Sequence, residues 1–453
     1  MDKLIDKIWG TGNRMVSFIP EKIRYGLIVA SLVALNLLFI FQPIVAFSHS
    51  GYAAILLFGL AALLAFSLWQ LPDKRELNLT LLYTCLAFAL CLLANAYFHK
   101  AASRALTGVI FLFVLPAIWL VLTIEKNREL LLNAAASAEV VSLYCLLLIS
   151  LFAAPLYTAN YCSILLNPNG LAQVLIPMLP ACLYLWEKRV SYFFLISAGI
   201  SLSLILLTRS RTGFICSITI IVFWLLYQIL IRNSYKSILK LILACGLAFV
   251  LTTLSLNHLS KMILTLEINA KGSAVRYVDD APVCFEKPEE TTSGYRLDKI
   301  FDRLDKSLSS ESDDVSSGRF AIWQQVGKKL NWQGRPERGR FSVTYGNKTR
   351  LTNNPHNVFL YFGFFAGIPT MVCLVGFFLA YIAVVYKRTI RGLLSRKLDA
   401  EDLFLLCLGA SFFIVANLSG TYAITSSAHS VLFWYLVPLA KKYEGGRGLA
   451  KKA

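Results

Sequence analysis

The chain changes from polar to strongly apolar within one stretch, Pro355-His356-Asn357-Val358-Phe359-Leu360-Tyr361-Phe362-Gly363-Phe364-Phe365-Ala366-Gly367-Ile368-Pro369. A polar and charged segment about a hundred residues long precedes this stretch, and the apolar segment that follows it is long enough to cross a bilayer. His356 stands at the boundary, where a side chain can reach both water and the membrane surface. The pattern predicts a large hydrophilic loop that returns to the membrane beside a histidine.

The composition excludes an ordinary soluble domain. Of the 453 residues, 57% are hydrophobic and only 15% are charged. An apolar run of about 18 or more residues can span a bilayer as a helix, because its backbone polar groups bond within the segment. The sequence therefore predicts an all-α polytopic membrane protein with about 12 transmembrane helices. The predicted spans are residues 25–47, 51–71, 78–98, 105–124, 130–155, 169–187, 191–207, 213–231, 238–256, 357–386, 402–418 and 424–440.

The distribution of Lys and Arg predicts the orientation, because basic residues accumulate in short cytoplasmic loops. One set of loops, together with the two termini, holds 24 Lys and Arg residues, whereas the alternate short loops hold 4. Both termini are therefore predicted to be cytoplasmic, and the predicted units are residues 1–256, a large external loop at 257–355 between spans 9 and 10, and residues 356–453. The net charge of +18 follows from this asymmetry and requires no nucleic acid partner.

Three further residues carry separate expectations. Glu139 is the acidic residue that falls inside an apolar run. We expect it at the cytoplasmic interface, and the alternative is a functional carboxylate within the membrane. Cys162 and Cys284 fall in predicted external loops, where two thiols could either pair as a disulfide or stay free.

Two short external loops carry candidate groups for binding a polar or anionic substrate. Asn167 and Asn169 lie in the turn-forming sequence Asn-Pro-Asn-Gly, where their side chains either cap a helix or bond a sugar or phosphate. Arg209 and Arg211 lie in the loop 208–213. A guanidinium group matches phosphate oxygens with its planar fork, and Arg211 also precedes a helix whose first amides favour anions. The alternative for both arginines is contact with lipid headgroups.

The large loop divides by charge. Residues 257–318 contain 8 basic and 12 acidic residues, whereas the part from Arg319 to Pro355 contains 8 basic residues and one acid, Glu337. Apolar residues at helical spacing predict a helix over 319–330 with Arg319 in its first turn. The basic part, which includes Arg338 and Arg340, indicates an anionic partner at the membrane surface, such as lipid phosphate groups.

The opening stretch predicts a helix that begins near the histidine. Asn354 is a suitable N-cap, which would place Pro355 first and His356 second in the helix. A helix N-terminus and nearby arginines both disfavour the imidazolium ion, so His356 is predicted to be a neutral general base. The alternative is an interfacial histidine without chemistry. Gly363 and Gly367 predict that a short helix breaks and the chain then re-enters as a full span.

These motifs, in this order, resemble the O-antigen ligase and polymerase superfamily of bacterial inner-membrane glycosyltransferases. The resemblance covers residues 155–370 and is carried by Asn167-Pro168-Asn169-Gly170-Leu171-Ala172, Ser210-Arg211-Thr212-Gly213, Gly318-Arg319 with Trp323, and His356-Asn357 with Gly367. Family members often have a Pro-x-x-Gly-x-Gly turn after the tryptophan. This chain departs from that pattern at residues 331–339, so no role is carried over to the glycines there.

The resemblance implies transfer of a glycan from undecaprenyl pyrophosphate to an acceptor in the periplasm, with inversion at the anomeric carbon and with no metal or other cofactor. It implies that Arg211 and Arg319 bind the pyrophosphate leaving group and that His356 takes the proton of the acceptor hydroxyl. The substrate-binding candidates are Arg209, Asn167, Asn169, Asn357, Arg338 and Arg340.

The acceptor is the point on which the alternatives differ. The basic region 319–350 suits a phosphate-bearing lipid A-core, which favours an O-antigen ligase of lipopolysaccharide biosynthesis over an O-antigen polymerase. A protein O-oligosaccharyltransferase shares the same motifs and stays open. A membrane transporter is a further alternative, but it would be expected to show two repeat halves with paired interrupted helices, which this sequence does not.

Overall fold

The structure is a computed structural model that describes residues 17–41, 78–122, 125–153, 161–165, 167–278, 281–285, 319–336, 341–345, 348–352, 354–418 and 428–440, with residues 7, 10, 11 and 14. The predicted span 51–71 and the candidate residues Arg338 and Arg340 lie outside the described residues. All statements about the fold and the site refer to the described part of the chain.

Helices make up most of the described chain. Their bounds are α1 Glu21–Phe41, α2 Leu79–His99, α3 Ala102–Val109, α4 Leu115–Leu122, α5 Glu125–Phe152, α6 Pro168–Leu175, α7 Met178–Arg189, α8 Tyr192–Leu207, α9 Arg211–Tyr227, α10 Tyr235–Lys271, α11 Arg319–Gly327, α12 Val358–Phe365, α13 Ile368–Leu394, α14 Ala400–Leu418 and α15 Ala428–Leu436. A π-helical turn at Ile110–Val114 joins α3 to α4, and another follows α9 at Gln228–Arg232.

Nine helical segments of the described chain are long and apolar enough to cross a membrane. They are Lys22–Phe41, Leu79–His99, Ala102–Trp119, Arg128–Phe152, Pro168–Arg189, Arg211–Arg232, Tyr235–Lys271, Ile368–Leu394 and Ala400–Leu418. Two shorter apolar helices are Tyr192–Leu207 and His429–Leu439. The multi-span helical class is thus confirmed, and helices occupy every predicted span position that the structure describes. The count of twelve stays a prediction.

The predicted span 357–386 is two helices. The eight residues of α12 reach about 12 Å at 1.5 Å per residue, which is too short to cross a bilayer. Gly367 separates α12 from α13 with φ of +91°, a left-handed conformation that glycine adopts without strain. A Cβ at this position would also overlap the Trp332 carbonyl oxygen. The predicted short helix, break and full span are confirmed.

The large loop also contains two antiparallel hairpins, which the sequence analysis did not predict. Strand β1 (Ala274–Val278) pairs with β2 (Ala281–Phe285), and β3 (Phe341–Tyr345) pairs with β4 (Lys348–Thr352). The strands contain the β-branched and aromatic residues that favour extended backbone. The sequence analysis considered only the charge of these segments and therefore missed them.

Helix packing buries the Glu139 carboxyl group deep in the bundle. Glu139 is 2% exposed, and its Oε1 accepts a hydrogen bond of 3.0 Å from Asn36 Nδ2. Asn36 also donates to Ser142 Oγ at 3.0 Å. The expectation that Glu139 lies at a solvated interface was wrong, because α5 begins at Glu125, about 21 Å before it at 1.5 Å per residue.

Ion pairs hold four helices together at one end of the bundle. Arg128 on α5 donates to Glu401 at 3.1 Å and to Asp402 at 2.5 Å, and Asp402 on α14 also pairs with Arg388 on α13. Lys188 at the end of α7 contacts Glu401 at 2.7 Å. The candidate site lies at the opposite end, which we call the loop end and which carries residues 99–101, 161–165, 167, 208–210 and 354–357. The network therefore braces α5, α7, α13 and α14 at the end opposite the site.

Candidate active site

The Asn-Pro-Asn-Gly motif begins α6 and connects it to α9. Asn167 is the N-cap of α6, and its Oδ1 accepts a bond of 2.8 Å from the Asn169 backbone N–H. Asn169 Oδ1 in turn accepts a bond of 2.7 Å from Ser210 Oγ. The capping alternative is therefore confirmed for Asn167, and Asn169 orients the residue that precedes Arg211.

Arg209 and Arg211 flank the start of α9. Ser210 is the N-cap of this helix, because its Oγ accepts from the Gly213 N–H at 3.3 Å. Arg209 has φ of +53° and forms the turn between α8 and α9, and Arg211 is the first residue of α9. Gly213 packs closely, since a Cβ there would lie 3.0 Å from Ala172 Cβ and Ile205 Cγ2. Small residues thus let three helices meet directly beneath the two arginines.

Arg319 and Arg211 interact electrostatically, although the two residues are far apart in the sequence. Arg319 is the first residue of α11, as predicted. Burial holds the pKa of the Arg319 guanidinium below its ordinary value, and the positive charge of Arg211 lowers this pKa further. Two guanidinium groups in this position repel each other. A phosphate group between them would be attracted to both.

α11 packs against α12 and thereby approaches His356. Val326 is fully buried and forms a small apolar cluster with Phe364 and Phe365 of α12. Trp323 Nε1 donates a hydrogen bond of 2.9 Å to the carbonyl of Pro355, the residue before His356. Since Arg319 and Trp323 are four residues apart, their side chains lie on the same face of α11. Arg319, Trp323 and His356 therefore occupy one region of the loop end.

His356 lies just outside the helix, which corrects the predicted second helical position. The N-cap of α12 is Asn357, whose Oδ1 accepts from the Leu360 N–H at 3.0 Å. Asn354 instead accepts at 2.7 Å from the backbone N–H of His356, which has φ of +54°. Asn357 caps because its side chain reaches the third amide of the helix, and histidine tolerates the left-handed conformation before it.

Asn357 is engaged within the protein on both sides of its amide. In addition to the cap bond, its Nδ2 donates to Asn417 Oδ1 at 3.0 Å, and the residue is 8% exposed. Contact with a substrate would require an exchange of these bonds. The structure thus gives Asn357 a capping role, while its predicted substrate contact stays a prediction.

Residues 331–335 form a part of the site that the sequence analysis missed. Asn331 Oδ1 accepts from the Gly334 N–H at 2.6 Å, and the Asn331 carbonyl accepts from the Ile368 N–H at 3.0 Å. Gly334 has φ of +72°, and a Cβ there would overlap the Phe365 carbonyl oxygen. The side chains of Asn95 and Arg104 also contact this segment, and the sequence analysis gave neither residue a role in the site. The turn signal of an Asn followed three residues later by a Gly could have identified it.

Within the described residues, no three His, Cys, Asp or Glu side chains form a group that could hold a metal ion, and the metal-free reaction stays a prediction. Within the described residues, neither Cys162 nor Cys284 forms a disulfide.

Comparison with protein families identifies the region that contains these residues. Residues 196–375 match the family model described as O-Antigen ligase, and a search of curated proteins found no match. The matched segment begins in α8, ends in α13, and includes Arg209, Arg211, Arg319 and His356. Family members are glycosyltransferase-like enzymes. The resemblance drawn from the motifs is confirmed: residues 196–375 of this multi-span membrane protein match the O-antigen ligase family, which supports the O-antigen ligase superfamily.

Proposed function

We propose that this chain is an O-antigen ligase that transfers a glycan from undecaprenyl pyrophosphate to lipid A-core, at the periplasmic face of a bacterial inner membrane. The observation that carries the proposal is the bond from Trp323 to Pro355, by which α11 places Arg319 in the region of His356, together with a charge of Arg211 near enough to lower the pKa of Arg319. Two neighbouring cations suit a pyrophosphate group.

The orientation in this proposal follows from charge. The loop end belongs to the face that is poor in Lys and Arg among the short loops, so it would face the periplasm. The opposite end carries Arg128, Lys188 and Arg388, in agreement with a cytoplasmic position. A lipid-linked donor could then remain in the membrane while its pyrophosphate reaches the loop end.

The arginines would act on the leaving group. As the bond between the anomeric carbon and the phosphate oxygen breaks, its electron pair and negative charge pass to the pyrophosphate. Arg211 and Arg319 remain protonated at neutral pH and would stabilise this charge with several N–H donors each. Arg209, Arg338 and Arg340 are further candidates for phosphate contacts, and Asn167 and Asn169 would position the loop that carries Arg209 and Arg211.

His356 would act on the acceptor. Its imidazole takes the proton of the acceptor hydroxyl while that oxygen forms a bond to the anomeric carbon on the side opposite the leaving group, which inverts the configuration. Two contacts hold the backbone at this point: the 2.7 Å bond to Asn354 and the 2.9 Å bond between Trp323 and Pro355. The base is thus held on a rigid segment beside α11.

Complementation tests this function. His356→Ala and Arg211→Ala are expressed in a strain that lacks its own ligase, and the lipopolysaccharide is analysed on gels. We expect both variants to leave core that carries no glycan. The matched controls are His258→Ala and Lys261→Ala, exposed residues on α10 that should support normal lipopolysaccharide.

The gel pattern also separates the ligase from the polymerase. Core that carries a single repeat in the variants would identify a polymerase and contradict the ligase proposal. Full glycan-capped lipopolysaccharide in both variants would show that the catalytic roles of His356 and Arg211 are wrong.

A further inference from the structure

Arg104 occupies an unusual position for a charged residue. It lies in the first turn of α3, at the loop end of a candidate span, and is only 8% exposed. Its Nη1 donates to the Phe365 carbonyl at 2.7 Å and to Asn95 Oδ1, and its Nη2 donates to the Arg335 carbonyl at 2.5 Å. A buried charge at a membrane is costly, so these contacts indicate a specific role.

The acceptors of Arg104 belong to the parts that carry the proposed catalytic residues. Phe365 ends α12, the helix that follows His356, and Arg335 ends the segment that follows α11 and Arg319. The Phe365 carbonyl also accepts from the Arg335 N–H at 2.9 Å. One guanidinium group therefore contacts both pieces where they join.

Asn95 strengthens the same junction from α2. Its Nδ2 donates to the Gln333 carbonyl at 2.6 Å, and His99 Nε2 lies 2.8 Å from the same oxygen. Since Asn95 Oδ1 accepts from Arg104, each of these two side chains fixes the rotamer of the other. Helices α2 and α3 thus supply a polar anchor for residues 333–335.

α11 and α12 are joined to each other at two places. Near His356 the link is the bond from Trp323 to Pro355, and at the far end it is the bond from Arg335 to Phe365. Arg319 and His356 consequently lie on one docked unit, comprising α11, residues 328–336 and residues 354–365, whereas Arg211 lies on the spanning helix α9. The contacts of Arg104 and Asn95 attach the docked unit to the spanning helices.

We propose that Arg104 is a positioning residue of the candidate active site, which sets the distance of Arg319 and His356 from Arg211. The inference rests on the proposed function for its catalytic consequence. A guanidinium group suits this role better than an ammonium group, because its planar fork serves three acceptors at once. A shift of the docked unit by about 1 Å can lower catalysis by about a hundredfold.

Kinetics of purified protein with a polyprenyl-pyrophosphate-linked glycan and lipid A-core test the proposal. For Arg104→Gln we expect kcat to fall by about a hundredfold and KM for the donor to rise, because Arg319 no longer faces Arg211. Arg104→Lys should recover part of both values. If Arg104 only supported folding, the amount of active enzyme would fall while KM stayed unchanged, and that result would overturn the proposal. Asn95→Ala is a second variant with a milder expected effect in the same direction.

Hydrogen exchange supplies a measurement that does not depend on activity. In Arg104→Gln, amides of residues 331–336 and 354–358 should exchange faster than in the unaltered protein, whereas Lys100→Asn, which removes a nearby exposed charge, should leave them unchanged. Unchanged exchange in Arg104→Gln would refute the anchor. An unaltered protein without transfer activity would refute the proposed function, while the exchange result would still decide whether Arg104 holds the docked unit.

Discussion

Replacing Arg211 and Arg319 by glutamine, singly and together, tests whether the two guanidinium groups act on one leaving group. Loss of one preorganised donor to a developing negative charge lowers kcat by about 10²–10³-fold, or about 2.7–4 kcal/mol. The charge of Arg211 lowers the pKa of Arg319, and on the proposed function both arginines would contact the same pyrophosphate. We therefore expect the double variant to lose far less than the product of the two single losses, because groups that act as a unit are not additive.

The assay is the initial rate of glycan transfer by purified protein, with thermal unfolding measured in parallel to confirm that each variant is folded. Lys261→Gln is the matched control, since it removes an exposed positive charge from α10. If the fold-loss in kcat of the double variant equals the product of the two single losses, the arginines act on separate groups. Folded single variants with unchanged kcat/KM would refute the leaving-group role altogether.

Three further substitutions test the framework. Trp323→Phe removes the N–H donor to the Pro355 carbonyl and leaves this buried carbonyl unsatisfied at a cost of about 1–3 kcal/mol. The loss of transfer activity should exceed the loss of folded protein that the change in melting temperature explains. Unaltered activity would contradict the link to the histidine. Gly367→Ala forces a side chain onto a left-handed backbone position and should lower the free energy of unfolding by more than about 1 kcal/mol in thermal unfolding. Gly376→Ala is the control, because a Cβ at that position meets open space. Asp402→Asn should cost about 1.5–3 kcal/mol, because it removes the negative charge that Arg128 and Arg388 share while Glu401 still pairs with Arg128. The more exposed Asp399→Asn should cost much less, and equal melting temperatures would refute the brace.

Local sequence patterns predicted the features that depend on neighbouring residues, namely the spanning helices, the break at Gly367 and the helix cap at Asn167. Helices occupy the predicted span positions because a bilayer leaves an apolar segment few other ways to satisfy its backbone. The break at Gly367 was predictable for the same reason, since Gly and Pro interrupt helices in any context. Asn167 followed its local capping signal, whereas Asn354 and Asn357 competed for one helix start, and packing of α12 decided between them.

The burial of Glu139 was not predictable in this way. Glu139 is buried in the helical bundle, where Asn36, on a different helix, supplies its hydrogen-bond donor. The hairpins of the large loop pair residues that are close in the sequence, and they were missed because the charge of these segments alone leaves strand pairing undetermined.

The sequence by itself determined that this is a multi-span helical membrane protein, and it identified Arg211, Arg319 and His356 as the residues to follow, because hydropathy, charge and short motifs can be evaluated one segment at a time. The tertiary structure alone decided that Arg319 approaches Arg211, that Trp323 holds the backbone next to His356, and that Arg104 and Asn95 anchor the docked unit. These contacts join residues more than thirty positions apart. They depend on how helices pack, which no local pattern specifies.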